Sequence, residues 1–305
     1  LQSVYAEGLQ PWSGIFEHDL PDIFGIFYKT VIEASLMTVM SILSCKVLED
    51  EILWILENDP SIDEVIVVEN GNSGGILEKM ENYGFSHKVL SPDEVSELPQ
   101  NDGNESENYT VLVCLLELGL HARPENLKNK AYETIEKFAP CSSGILLFYG
   151  LCGNVLGNVE EDFASRLPAC PVRILRDNAG RVVDDCIGAT LGGTEQYLKV
   201  LKSVSDVGTY LFTPMFSAAW KELFSIDKLH KDPEKALNLM KMTHEMTGYG
   251  RVAKLNTGLS YTENFDARIR DFADIFSFEV VELELKGNQK IFDKCYRELK
   301  AELPN

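Results

Sequence analysis

The stretch DEVIVVENGNSGGILEKMENYG, Asp63 to Gly84, decides how this chain is to be read. Its first half is a short run rich in Val and Ile, residues that favour a pleated, buried surface. A turn of Asn, Gly and Ser follows, and the second half carries apolar residues at the spacing of an amphipathic helix. Strand, turn, helix is the repeating unit of a parallel sheet, because parallel strands need a crossover between them. The turn ENGNSGG is read as a plain connection, since it lacks both the GxGxxG order and the lysine of a phosphate-binding loop.

The same unit recurs on both sides. Strands are expected at MSILSC, YTVLVCLLEL, GILLFYG, CPVRIL, GTYLFT, RVAKLNT and FEVVELEL. Between them, helical patterns run through LEDEILWILEND, RPENLKNKAYETIEKFA, CIGATLGGTEQYLKVLK, SAAWKELFS, PEKALNLMKMTHEMT, NFDARIRDFADIF and NQKIFDKCYRELKAEL. The expected class is α/β, with parallel sheets flanked by helices in two Rossmann-like lobes. Residues 1–38 read as an N-terminal extension, and 39–305 as an α/β domain of two intertwined lobes with a cleft between them. The apolar run from Ile23 to Leu43 is interrupted by Lys29 and Glu33, so it is not taken as a membrane span.

The chain has 305 residues, 25% of them charged, and a net charge of -20. So negative a molecule repels a phosphate backbone, and no basic patch offsets it, which argues against nucleic-acid binding. Seven cysteines, an odd number scattered through a long chain, are not a secreted disulfide framework. A reducing, cytoplasmic setting is expected.

Four potential ligands fall at strand ends. Cys45 closes SILSC, His121 follows YTVLVCLLEL, Cys152 follows GILLFYG, and Cys186 opens the helix after CPVRIL. In open α/β sheets the functional crevice lies beyond the carboxyl ends of the strands. If the four converge they form a ligand set for a metal ion, zinc favoured, or for an iron–sulfur cluster. The alternative is three packed thiols and a loop histidine. Cys114, Cys141, Cys170 and Cys295 sit at strand, loop or helix positions suited to packing and are left outside the site.

In GLCGN, Gly150 and Gly153 are expected to let the backbone approach a bound group, with Asn154 beside them. Cys186 near a helix start should have its thiolate favoured by the unsatisfied amides. Asp185 either orients a ligand or, like Asp184, caps the helix. Arg123 in LHARP either binds an anionic substrate or forms a surface ion pair. From the second lobe, Tyr210, Thr213, Thr257 and Gly258 are candidates to line the cleft.

SCKVLEDEI, LELGLHARPENL, LLFYGLCGN, DDCIGATLGGTEQYLK and GTYLFTP occur in the order and approximate spacing of the domain-of-unknown-function family numbered sixteen thirty-eight, which the chain resembles from about Met40 to Leu285. The resemblance implies a protein of anaerobic archaea and bacteria, encoded near corrinoid-dependent methyltransferase systems. It implies that Cys45, His121, Cys152 and Cys186 are motif residues. It departs at Asp184, where the family pattern carries a histidine. There an oxygen replaces that ligand, or a function has been lost.

Two classes of function follow. One is an enzyme or methyl-handling partner in one-carbon metabolism, such as methanogenesis, whose metal activates a small thiol, amine or corrinoid-linked substrate. The other is a metal or cofactor carrier without turnover. A three-Cys iron–sulfur enzyme stands beside them, and a corrinoid is expected only as the cofactor of a partner protein.

Overall fold

In the computed structural model, which describes residues 37–100, 108–224 and 232–304, β1 (Met37–Cys45) is the axis of the larger sheet. Every residue of β1 after Met37 is buried, as suits a strand covered by helices on both faces. With β2 (Glu64–Val68), β3 (Lys88–Leu90), β4 (Asn108–Leu116), β5 (Gly144–Phe148) and β6 (Val172–Ile174) it forms a six-stranded sheet in the order β3-β2-β4-β1-β5-β6. All pairings are parallel.

Register positions the site. Cys45 stands beside Leu116 of β4, and Ser44 beside Phe148 of β5, so three central strands end level. The chain leaves β1 toward β2 on one side and leaves β5 toward β6 on the other. The winding therefore reverses between β1 and β5, the arrangement that opens a crevice at the carboxyl edge.

A second sheet holds β7 (Gly208–Phe212), β8 (Tyr249–Lys254) and β9 (Glu279–Glu282), parallel and in sequence order. The helices of the described residues are α1 (Glu49–Asn58), α2 (Gly74–Tyr83), α3 (Pro92–Ser96), α4 (Pro124–Phe138), α5 (Val159–Ala164), α6 (Cys186–Thr190), α7 (Thr194–Ser203), α8 (Pro214–Leu223), α9 (Pro233–Thr247), α10 (Phe265–Phe276) and α11 (Lys290–Lys300). Phe212, Trp220, Phe272 and Phe276 form one core of the second unit, and Leu191, Val200, Leu211, Ala253 and Leu255 form another. After β9 the chain returns to the first sheet through α11. Phe292 packs on Phe148 with ring centroids 5.2 Å apart, and Asp59 accepts from the Tyr296 hydroxyl at 2.7 Å and from Lys300.

The structure bears out parallel α/β architecture and revises its boundaries. The helix expected through 186–202 is two helices, α6 and α7, because Gly192 and Gly193 adopt φ of 91° and 110°, a conformation that breaks a right-handed helix. A Cβ on Gly193 would lie 2.6 Å from Cβ of Asp177. β1 begins at Met37, inside the segment assigned to the extension, while residues 1–36 and most of the polar loop, 101–107, lie outside the described residues. β3, α3 and α5 are too short for periodicity to reveal them. Among the described residues no helix is long and apolar enough to cross a membrane.

Candidate functional site

Three thiols reach one cavity from three connections. Cys45 ends β1 and starts the single turn Lys46–Leu48, Cys152 lies in the loop after β5, and Cys186 opens α6. The loops carrying the last two lie back to back. Leu151 N donates to Val183 O at 2.8 Å and Cys152 N to Asp184 O at 3.1 Å. A Cβ on Gly150 would lie 2.5 Å from Val183 O and 2.8 Å from Asp185 N, so this contact requires glycine.

Beyond Gly150 the loop is strained. Cys152, Gly153 and Asn154 have φ of 47°, 77° and 66°, a left-handed run that costs about 1 kcal/mol for each non-glycine residue. Asp185 supports the neighbouring loop: Oδ1 accepts from Gly188 N at 2.7 Å and Oδ2 from the Tyr197 hydroxyl at 2.9 Å.

The cavity, about 310 Å³, is bounded by the three thiols with Tyr149, Gly153, Glu117 and Asp185. Val47, Leu118, Leu127 and Ile187 supply apolar wall, and Phe216 and Leu223 of α8 close it from the second unit. Tyr149, also on the wall, is 3% exposed.

The thiols are not equivalent. A hydrogen bond from Cys186 holds Cys45 below the usual thiol range, against the opposing effect of burial. The same bond, reinforced by burial, pushes Cys186 well above that range. The two thiols therefore lose their protons as a pair and not as independent groups. Burial, then the charge of Cys45, pushes Cys152 up to about 12. Burial also raises the Asp185 carboxyl, although Gly188 and Tyr197 oppose the shift.

Of the residues singled out from sequence, Cys45, Cys152, Cys186, Gly153 and Asp185 line the cavity. Gly150 serves the contact between the two loops. Asp184 contributes its carbonyl to that contact and is absent from the cavity wall. Asn154 and Arg123 are exposed and absent from the cavity wall. His121 belongs to the turn Leu118–Ala122, but its side chain lies outside the described residues.

Tyr210 joins the aromatic cluster of the second unit, and Thr213 caps α8 by accepting from Phe216 N at 3.1 Å. Neither they nor Thr257 and Gly258 line the thiol cavity. Sequence reasoning missed Tyr149 and Glu117. Both follow a strand directly, which is the signal that could have found them.

The family model described as Protein of unknown function (DUF1638) matches residues 115–296. The chain belongs to this family. The matched region contains His121, Cys152, Asp185 and Cys186, whereas Cys45 precedes it, so the correspondence starts later than the motif order implied. Within this DUF1638 chain the site thus joins residues inside the match to β1 outside it. No curated protein and no solved structure matches the chain.

Proposed function

We propose that the chain is a metal-binding protein in which Cys45, Cys152 and Cys186 hold one thiophilic ion, zinc in the first instance, beside a cavity for a small and mostly apolar molecule. The observation that supports this is the arrival of three thiols from three separate connections at one cavity on the carboxyl edge of the first sheet. Their donor chemistry fits, because thiolates are soft ligands preferred by zinc and by iron–sulfur clusters. Among the described residues no group of three or more Cys, His, Asp or Glu could hold a metal ion as placed. Binding would therefore draw the thiols closer together.

When bound, such an ion supplies Lewis acidity toward a thiol or amine. The chain supplies the rest. The Tyr149 hydroxyl donates to an acceptor on the small molecule, Asp185 keeps the Cys186 turn in place through Gly188 and Tyr197, and the aliphatic wall excludes water. Among the described residues the wall carries acids and no base, which favours a neutral or cationic molecule over an anion. We extend the proposal to corrinoid-linked methyl metabolism, supported by the family resemblance. A cavity of about 310 Å³ is far too small for a corrinoid macrocycle, so that cofactor would remain on a partner protein.

Elemental analysis of anaerobically purified protein tests the reading. It should give about one metal per chain, colourless for zinc, and Cys45→Ser or Cys186→Ser should lower affinity at least about tenfold. A brown chromophore would assign the thiols to a cluster. Protein that purifies metal-free and takes up neither added zinc nor cobalt would end the proposal.

A further inference from the structure

A second cavity, of about 390 Å³, lies between the first and second units. Helix α8 borders both cavities: Phe216 and Leu223 face the thiols, whereas Met215 and Glu222 face this one. Its distinctive group is Glu49, which opens α1 and is fully buried. Glu49 Oε2 accepts from Lys79 Nζ at 3.0 Å, but Oε1 has no partner among the described residues.

The neighbouring Asp50 repeats the pattern. Its Oδ1 accepts from Lys79 at 2.7 Å and from the Thr262 hydroxyl at 2.9 Å, while Oδ2 has no partner among the described residues. One ammonium therefore serves two buried carboxylates, and a buried charge without its counter-ion is costly. Amides at the start of α1 favour acids there, yet they leave Glu49 Oε1 without a donor. Burial pushes the Glu49 carboxyl above its usual range despite Lys79.

Other parts of the wall are also suited to a cation. Tyr83 and Tyr261 meet edge to face with centroids 5.1 Å apart. Their hydroxyls are engaged by Ser260 O and Glu57, so the rings are what they offer, and aromatic faces attract organic cations. Lys46 is paired with Glu222 at 2.9 Å, and acidic side chains on the wall outnumber basic ones. A metal ion is a poorer fit, because Asp50 does not reach the wall and Lys79 stands against Glu49.

We propose that this cavity binds a small alkylammonium whose N–H donates to Glu49 Oε1 and whose carbon body lies against Met215 and the Tyr83–Tyr261 pair. The site is independent of the thiol cavity and of any metal there.

NMR titration of the full chain with n-butylammonium chloride tests it, with tetramethylammonium chloride as a control that lacks N–H and sodium chloride as the ionic control. Butylammonium should bind saturably, and tetramethylammonium about tenfold more weakly, because it keeps the attraction to the rings and loses the hydrogen bond. Glu49→Gln and Tyr83→Leu should each weaken butylammonium binding at least about fivefold. Should Glu49→Gln fail to fold, Tyr83→Leu decides, since Tyr83 is 44% exposed. Shifts no different from those in sodium chloride, equal affinity for the two cations, or undiminished binding in a folded variant would overturn the assignment.

Discussion

Gly150 has no room for a side chain: the Cβ of an alanine would lie 2.5 Å from Val183 O. Gly150→Ala must therefore separate the two loops that carry Cys152 and Cys186. A loss of about 2 kcal/mol is expected in denaturant melts, with faster labelling of both thiols. A variant that keeps wild-type stability and labelling would show that the loop contact does not organise the site. Glu51 makes a second prediction. Burial, then the charge of Asp50, pushes its carboxyl up to about 8 from 4.5. The folded state thus binds this proton more tightly than the unfolded chain does. The associated stability is full below about pH 4.5 and is lost as pH rises through about 8. Glu51→Gln should flatten the stability profile across that window, by a few kcal/mol at most, as pH-dependent melts would reveal.

Among the elements, α11 is held to the first sheet by a polar clasp as well as by Phe292. Burial alone would raise the Asp59 carboxyl, but hydrogen bonds from Lys300, Ser61 and Tyr296 outweigh it and bring the group down to about 2. The stability it contributes is present above about 3.8 and is lost as pH falls through about 2. Tyr296→Phe should cost about 1 kcal/mol at neutral pH and shift the acid unfolding midpoint upward. The break between α6 and α7 follows a different rule. Gly193→Ala meets both a left-handed φ of 110° and a contact of 2.6 Å with Asp177. It should destabilise by about 2 kcal/mol or more, whereas a melt unchanged within error would place the break elsewhere.

For the whole molecule, a net charge of -20 sets the dominant long-range field. Self-repulsion opposes the compact state and is screened by salt. Melting temperature should rise as sodium chloride goes from about 0.05 to about 0.5 M, over which the screening length falls several-fold. A flat or falling profile would mean that paired charges outweigh the net repulsion. At this scale the two sheets also depend on each other. The first unit supplies the thiols and the second supplies Phe216 and Leu223 to the same cavity.

Alternation of strand and helix was set locally, because side-chain periodicity within about ten residues suffices to choose between them. With the rule that chemistry collects at strand carboxyl ends, it was enough to mark Cys45, Cys152 and Cys186. It was not enough to find Tyr149, to place Arg123 and Asn154 outside the cavity, or to split the helix at Gly192. Nor did it show that Gly150 answers to Val183, that Cys45 and Cys186 lose their protons as a pair, or that Glu49 keeps an unpartnered oxygen. These depend on strand order and register, which bring together residues as distant in sequence as Gly150 and Val183 or Cys45 and Cys186. Contacts of that kind are selected by the packing of the whole chain, and no local window contains their partners.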